Sequence, residues 1–170
     1  MTELHWLGVA EAAKAIAAKD LSPVELMKAL HDRIAALDPQ LNAFIRLDGE
    51  AAMEAAKAAE AEATAGRLRG PLHGVPVGIK DIINVAGLPT TGHSKILQDN
   101  LATADAVCVE KLRGAGAIVM GKLSTHEFAI GGPSFDLPWP PARNPWNTSH
   151  HPGGSSSGSG SGVSAGLFPM

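Results

Sequence analysis

A ten-residue run, Gly74-Val75-Pro76-Val77-Gly78-Ile79-Lys80-Asp81-Ile82-Ile83, is rich in β-branched residues and almost unbroken in apolar character. A strand wet on one face alternates apolar and polar residues. A run without alternation suits a strand covered on both faces, the habit of parallel sheets packed between helices. A second buried run, Ala117-Ile118-Val119-Met120-Gly121, follows a stretch from Asp105 to Arg113 that reads as a helix capped by Asp105 and stopped at Gly114 or Gly116. Strand, helix, strand is the α/β pattern with some parallel pairing.

The residues before Gly70 read differently. Val9, Ala12, Ala13 and Ile16 recur at helical spacing, and Asp20-Leu21 ends that segment. Ser22-Pro23-Val24-Glu25 is a capping-box pattern with proline at the first helical position. It predicts a second helix with Leu26, Leu30, Ile34 and Leu37 as its apolar stripe, closed by Asp38-Pro39. A third, Glu50 to Ala65, is mostly Ala, Glu and Lys, with Gly66 as its C-cap. Residues 1–69 are thus expected to be helical and 70–170 to open an α/β core.

Composition narrows the function classes. With 14 Lys plus Arg against 17 Asp plus Glu, the net charge of −3 gives no field that would favour nucleic acid. No stretch approaches the ~20 apolar residues of a membrane span, and no leader-like segment opens the chain. The single Cys108 excludes an internal disulfide framework and suits a reducing compartment, so the expected location is cytoplasmic. Cys108 lies in an apolar helical pattern and reads as core rather than as a nucleophile.

Between Gly131 and Pro152 six prolines mark an extended region, with Trp139 and Trp146 as its expected apolar anchors. Gly153 to Gly162 is entirely glycine and serine. Such a segment can be a flexible linker, a phosphate-cradling loop, or a catalytic loop in which glycines allow close approach around a fixed serine. The phosphate reading is weak because no Gly-Lys-Ser/Thr follows. Lys80, embedded in apolar sequence, would be desolvated, which favours the neutral amine. Equally, it could snorkel from a strand end or pair with Asp81. His150-His151 lacks a third partner at ligand spacing, and His126-Glu127 lacks the second histidine of a zinc-protease helix, so no metal is expected.

Taken in order, several motifs resemble the amidase signature family: Gly74-Val75-Pro76 with Ile79-Lys80-Asp81, Thr90-Thr91-Gly92, Gly121-Lys122 with Glu127-Phe128-Ala129, Asn144-Pro145-Trp146, and Pro152-Gly153-Gly154-Ser155-Ser156. The similarity covers nearly the whole chain, and it removes the linker reading. The resemblance implies an amide hydrolase with a Ser-cis-Ser-Lys triad. In it Lys80 is the base and Ser155 the bridging serine with a cis peptide bond. Gly153, Gly154, Ser156 and Gly158 support the loop, and Asp81 orients Lys80 or caps the turn after it. Cofactors and metals are not implied.

The resemblance also implies a mixed sheet flanked by helices on both faces, several hundred residues in all. The family's nucleophilic serine lies in an Asp-Thr-Gly-Gly-Ser type stretch downstream, which has no counterpart before Met170. Ser156, Ser157, Ser159, Ser161 and Ser164 belong, on this alignment, to the bridging-serine loop and the small-residue helix after it, and do not replace the nucleophile. Residues 1–170 are therefore expected to be the N-terminal portion of one amidase signature domain, truncated and inactive alone. The expected substrate is a small linear carboxamide, with a homodimer open for a full-length form. Two alternatives are the glutaminase component of a tRNA-dependent amidotransferase, its A subunit, which frees ammonia from glutamine, and an inactive remnant. That component usually reads Asn-Met-Asp-Glu-Phe-Ala-Met-Gly where this chain has Ser124-Thr125-His126-Glu127-Phe128-Ala129-Ile130-Gly131, which favours the stand-alone amidase.

Overall fold

A computed structural model describes residues 3–170. Its helices are α1 (Val9–Ala18), α2 (Pro23–Leu41), α3 (Gly49–Thr64), α4 (Val107–Gly114) and α5 (Ser157–Ser164), and its strands are β1 (Phe44–Leu47), β2 (Pro76–Lys80) and β3 (Ile118–Leu123). The sheet order is β1-β3-β2, with β2 parallel and β1 antiparallel to β3. Every residue of the central strand β3 is buried, as its unalternating sequence requires.

The alternation of side chains along β3 divides the interior in two. Ile118 and Met120 pack with Ile16, Leu26, Met27, Leu30 and Ala56 from α1, α2 and α3. Val119 faces the other way, where it joins Val77 and Ile79 of β2 with Val109 of α4 and Val85 and Leu88 of the loop after β2. Helices thus cover both faces of a mixed sheet.

Local signals explain most element ends. Ser22 caps α2, its hydroxyl oxygen accepting from the backbone N–H of Val24 and Glu25 at 3.0 and 3.1 Å. The reciprocal half of the capping box, a Glu25 carboxylate accepting from Ser22 N–H, is not formed among the described residues; the Ser22 hydroxyl itself donates to Glu60 of α3. Pro39 does not close α2, because a proline in the final turn removes only one ladder bond. Asn42 ends it in the left-handed region, its N–H donating to Asp38 O at 2.8 Å, while the Asp38 carboxylate accepts from Ala43 N at 2.7 Å.

Four further expectations are corrected. The region before residue 70 is not all helix, for Phe44–Leu47 forms β1 against β3. Four residues carry little periodicity, and their pairing is set by the free edge of β3 rather than by propensity. Asp105 does not cap α4; its carboxylate accepts from Ala86 N and pairs with Arg113. Cys108 is exposed, because Val109 is the residue that α4 buries. Trp146 is 85 % exposed and anchors nothing in the core. Trp139 is half-buried, its ring edge-on to His93.

Candidate active site

Lys80 is the last residue of β2, and in the parallel register it stands beside Leu123, the last residue of β3. Both strands therefore deliver their C-terminal ends to the same edge of the sheet, where α/β proteins gather functional groups. The Gly/Ser segment arrives there through α5. A helix of Ser-Gly-Ser-Gly-Ser-Gly-Val-Ser has poor intrinsic propensity, but its small residues let its backbone lie directly on the sheet edge. Gly158 N–H donates to Ser124 O at 2.9 Å, and a β-carbon at Gly158 would overlap the Ala43 carbonyl. The buried Ser161 hydroxyl donates to Arg143 O at 2.7 Å.

This docking brings Ser155, 75 positions from Lys80, against it. Lys80 Nζ donates to Ser155 Oγ at 2.7 Å. The Gly154–Ser155 peptide bond is cis. The Ser155 carbonyl accepts from His126 N at 3.1 Å. Burial pushes the Lys80 ammonium below its ordinary value, because a desolvated ammonium gives up its proton more readily.

The other sequence candidates hold the loop rather than reach the lysine. Gly153 has φ +91° and its N–H donates to His151 Nδ1. Gly154 lies against the His126 ring, which a β-carbon there would overlap. Ser156 precedes the first turn of α5 and its carbonyl accepts from Gly160 N. Asp81 does not pair with Lys80: its carboxylate meets Lys122 Nζ at 2.9 Å and accepts from Thr91 N at 3.0 Å and from the Thr91 hydroxyl.

Sequence reasoning placed Lys122 only within a family motif and weighed His126 only as a metal ligand, and gave neither a role beside Lys80 or Ser155. Lys122 stands in an apolar run just as Lys80 does, so the signal that singled out one lysine was available for the other. His126 gave no such signal, since its nearness to Gly154 arises only in three dimensions; Nδ1 donates to Gly131 O at 2.9 Å, while Nε2 is buried without a partner among the described residues. A cavity of about 290 Å³ lies away from this cluster, lined by Trp6, Arg33, Leu41, Trp146 and neighbours and touching neither Lys80 nor Ser155. No group of three metal-ligating side chains occurs among the described residues.

The chain is 45% identical over 169 residues to the A subunit of the glutamyl-tRNA(Gln) amidotransferase of Chloroflexus aggregans, matching 99% of this chain and 35% of that one. It is 48% identical over 166 residues to the protein of the same name from Azotobacter vinelandii, matching 98% and 34%. It therefore spans about a third of the length of these curated relatives. Among solved structures, the peptide amidase of Stenotrophomonas maltophilia superimposes with a TM-score of 0.86 at 40% identity, over 95% of this chain and 34% of that one. A bacterial aryl acylamidase of the amidase signature family does so with a TM-score of 0.90 at 30% identity, over 98% and 35%. The family model named Amidase matches residues 25–170, and with that match over most of its length the chain belongs to the amidase family.

Proposed function

We propose that these residues form the proton-relay half of an amide hydrolase. Lys80, as the free amine, takes a proton from Ser155, which takes one from a serine attacking the amide carbonyl. The acyl-serine forms, ammonia or an amine leaves carrying a proton, and water then releases the acid. The observation that carries this reading is the 2.7 Å contact between Lys80 Nζ and Ser155 Oγ. Desolvation of Lys80 supports it, because it raises the share of free amine at a given pH.

In this reading the attacking serine comes from the part of the relatives' length that the chain does not match. Ser157 and Ser161 are buried in α5 and are not candidates. Linear carboxamides are the proposed substrates, no cofactor takes part, and a cytoplasmic setting fits the unpaired Cys108. No helix among the described residues is long and apolar enough to cross a membrane.

The test is ammonia release from a panel of simple carboxamides. The 170-residue chain alone is expected to release none, and a longer chain carrying the nucleophile region is expected to be active and to lose that activity in Lys80→Ala and Ser155→Ala. Lys80-dependent hydrolysis by the short chain, or a long chain indifferent to Lys80→Ala, contradicts the reading.

The second reading is the glutaminase component of a tRNA-dependent amidotransferase, favoured by the 45% and 48% identity to proteins of that name. Ammonia release confined to glutamine and dependent on partner proteins selects it. Hydrolysis of free carboxamides by the isolated enzyme selects the stand-alone amidase.

A further inference from the structure

Asp81 follows Lys80 directly, yet its carboxylate turns away. Successive side chains of an extended segment point to opposite faces, and at the end of β2 this sends Lys80 toward Ser155 and Asp81 toward Lys122 and Thr91. Lys122 Nζ also donates to Thr90 Oγ1 at 2.7 Å and to Pro89 O at 3.1 Å. Both charged side chains are 0% exposed. Such a pair is a weak source of stability, because desolvating two charges costs about as much as their attraction returns, and apolar replacements of similar volume often hold a fold equally well.

We propose that Lys122 is a positioning residue of this site: it holds Asp81 and cancels its charge, so that the carboxylate next to Lys80 neither draws the amine from Ser155 nor retains its proton. The proposal rests on the reading of Lys80 as the base. At an effective dielectric constant of about 20, a bare carboxylate on the neighbouring residue would make Lys80 harder to deprotonate by about one pH unit. Other titratable groups on the surrounding elements are otherwise placed. Arg46 of β1 lines a cavity with Asp81 and Lys122 but is exposed. The His93 ring bonds Ser124 Oγ and Trp139 O, and the His126 ring bonds Gly131 O and faces Gly154. α5 carries no titratable side chain. Among the described residues, Lys122 is the cation paired with Asp81.

The experiment is the pH profile of kcat/KM in an active full-length amidase carrying these residues, read for Lys122→Met, for Asp81→Asn with Lys122→Met, and for Lys80→Ala. Lys122→Met is expected to move the acid limb up by about one pH unit, a roughly tenfold loss of rate below it. The double variant, which removes both charges, is expected to retain turnover and return the limb to its original position. A purely structural role would lower kcat and leave the limb in place, so a folded Lys122→Met with an unmoved limb overturns the proposal. Should Lys122→Met not fold, the double variant decides: a wild-type limb supports the proposal, whereas a displaced limb, loss of all turnover or failure to fold overturns it. Activity that survives Lys80→Ala refutes the base reading itself, which separates that failure from this one.

Discussion

Gly158 N–H donates to Ser124 O at 2.9 Å, and a β-carbon on Gly158 would stand 2.5 Å from the Ser124 nitrogen. This backbone-to-backbone contact seats α5 on the end of β3 and so carries Ser155 to Lys80. Two substitutions in the same helix should then have opposite signs. Gly158→Ala forces α5 off the sheet edge and is expected to cost about 1–3 kcal/mol, the usual range for overpacking. At Gly160 the nearest atom to a new β-carbon is Pro152 O at 3.6 Å, and Gly160→Ala is expected to stabilise by about 0.5–1 kcal/mol by lowering the entropy lost in forming the helix. Urea midpoints of the two variants measure both effects.

Lys80→Ala and Ser155→Ala, made in the active full-length enzyme, are expected to lower kcat by about 10²- to 10⁴-fold, the range associated with general acid–base groups. The double variant should lose little more than either single one, because the proposed relay runs through the one hydrogen bond between them. Additive losses in the steady-state rates would show that they act separately.

The sign of the pH dependence follows from the direction of the Lys80 shift. Burial lowers the Lys80 value, and in the proposed mechanism the active form is the free amine, so activity should rise with pH along a limb whose midpoint lies below the ordinary lysine value of about 10.4. The same lysine works against stability in acid. Its folded-state value lies below the unfolded one, so the unfolded chain binds the extra proton in the window between them. Its unfavourable contribution is complete below the folded value and disappears as pH rises through the unfolded value. A kcat/KM profile checks the first statement, and a proton-linked difference in stability between wild type and Lys80→Met checks the second.

Phe168 is buried beneath α5, edge-on to Phe44 of β1 with ring centroids 5.4 Å apart. Phe168→Ala is expected to cost about 3–5 kcal/mol, because it removes a large buried ring and leaves a cavity under Gly162. Thermal unfolding followed by circular dichroism reads the loss. A change within about 0.5 kcal/mol, the range of surface substitutions, would mean that this segment is not part of the core.

The amino-acid order alone located β2 and β3 through their unalternating apolar runs, started α2 at Ser22-Pro23, and marked Lys80 as a lysine in apolar surroundings. These are properties of a residue and its near neighbours, which periodicity, capping and desolvation report directly. Tertiary structure decided the rest. Phe44–Leu47 became a strand because β3 had an edge to fill, and Cys108 and Trp146 were left exposed because no element among the described residues covers them. Asp81 found Lys122 rather than its sequence neighbour Lys80 because successive side chains on an extended strand point apart. A pairing of this kind depends on which strand lies alongside, and local sequence carries no record of that.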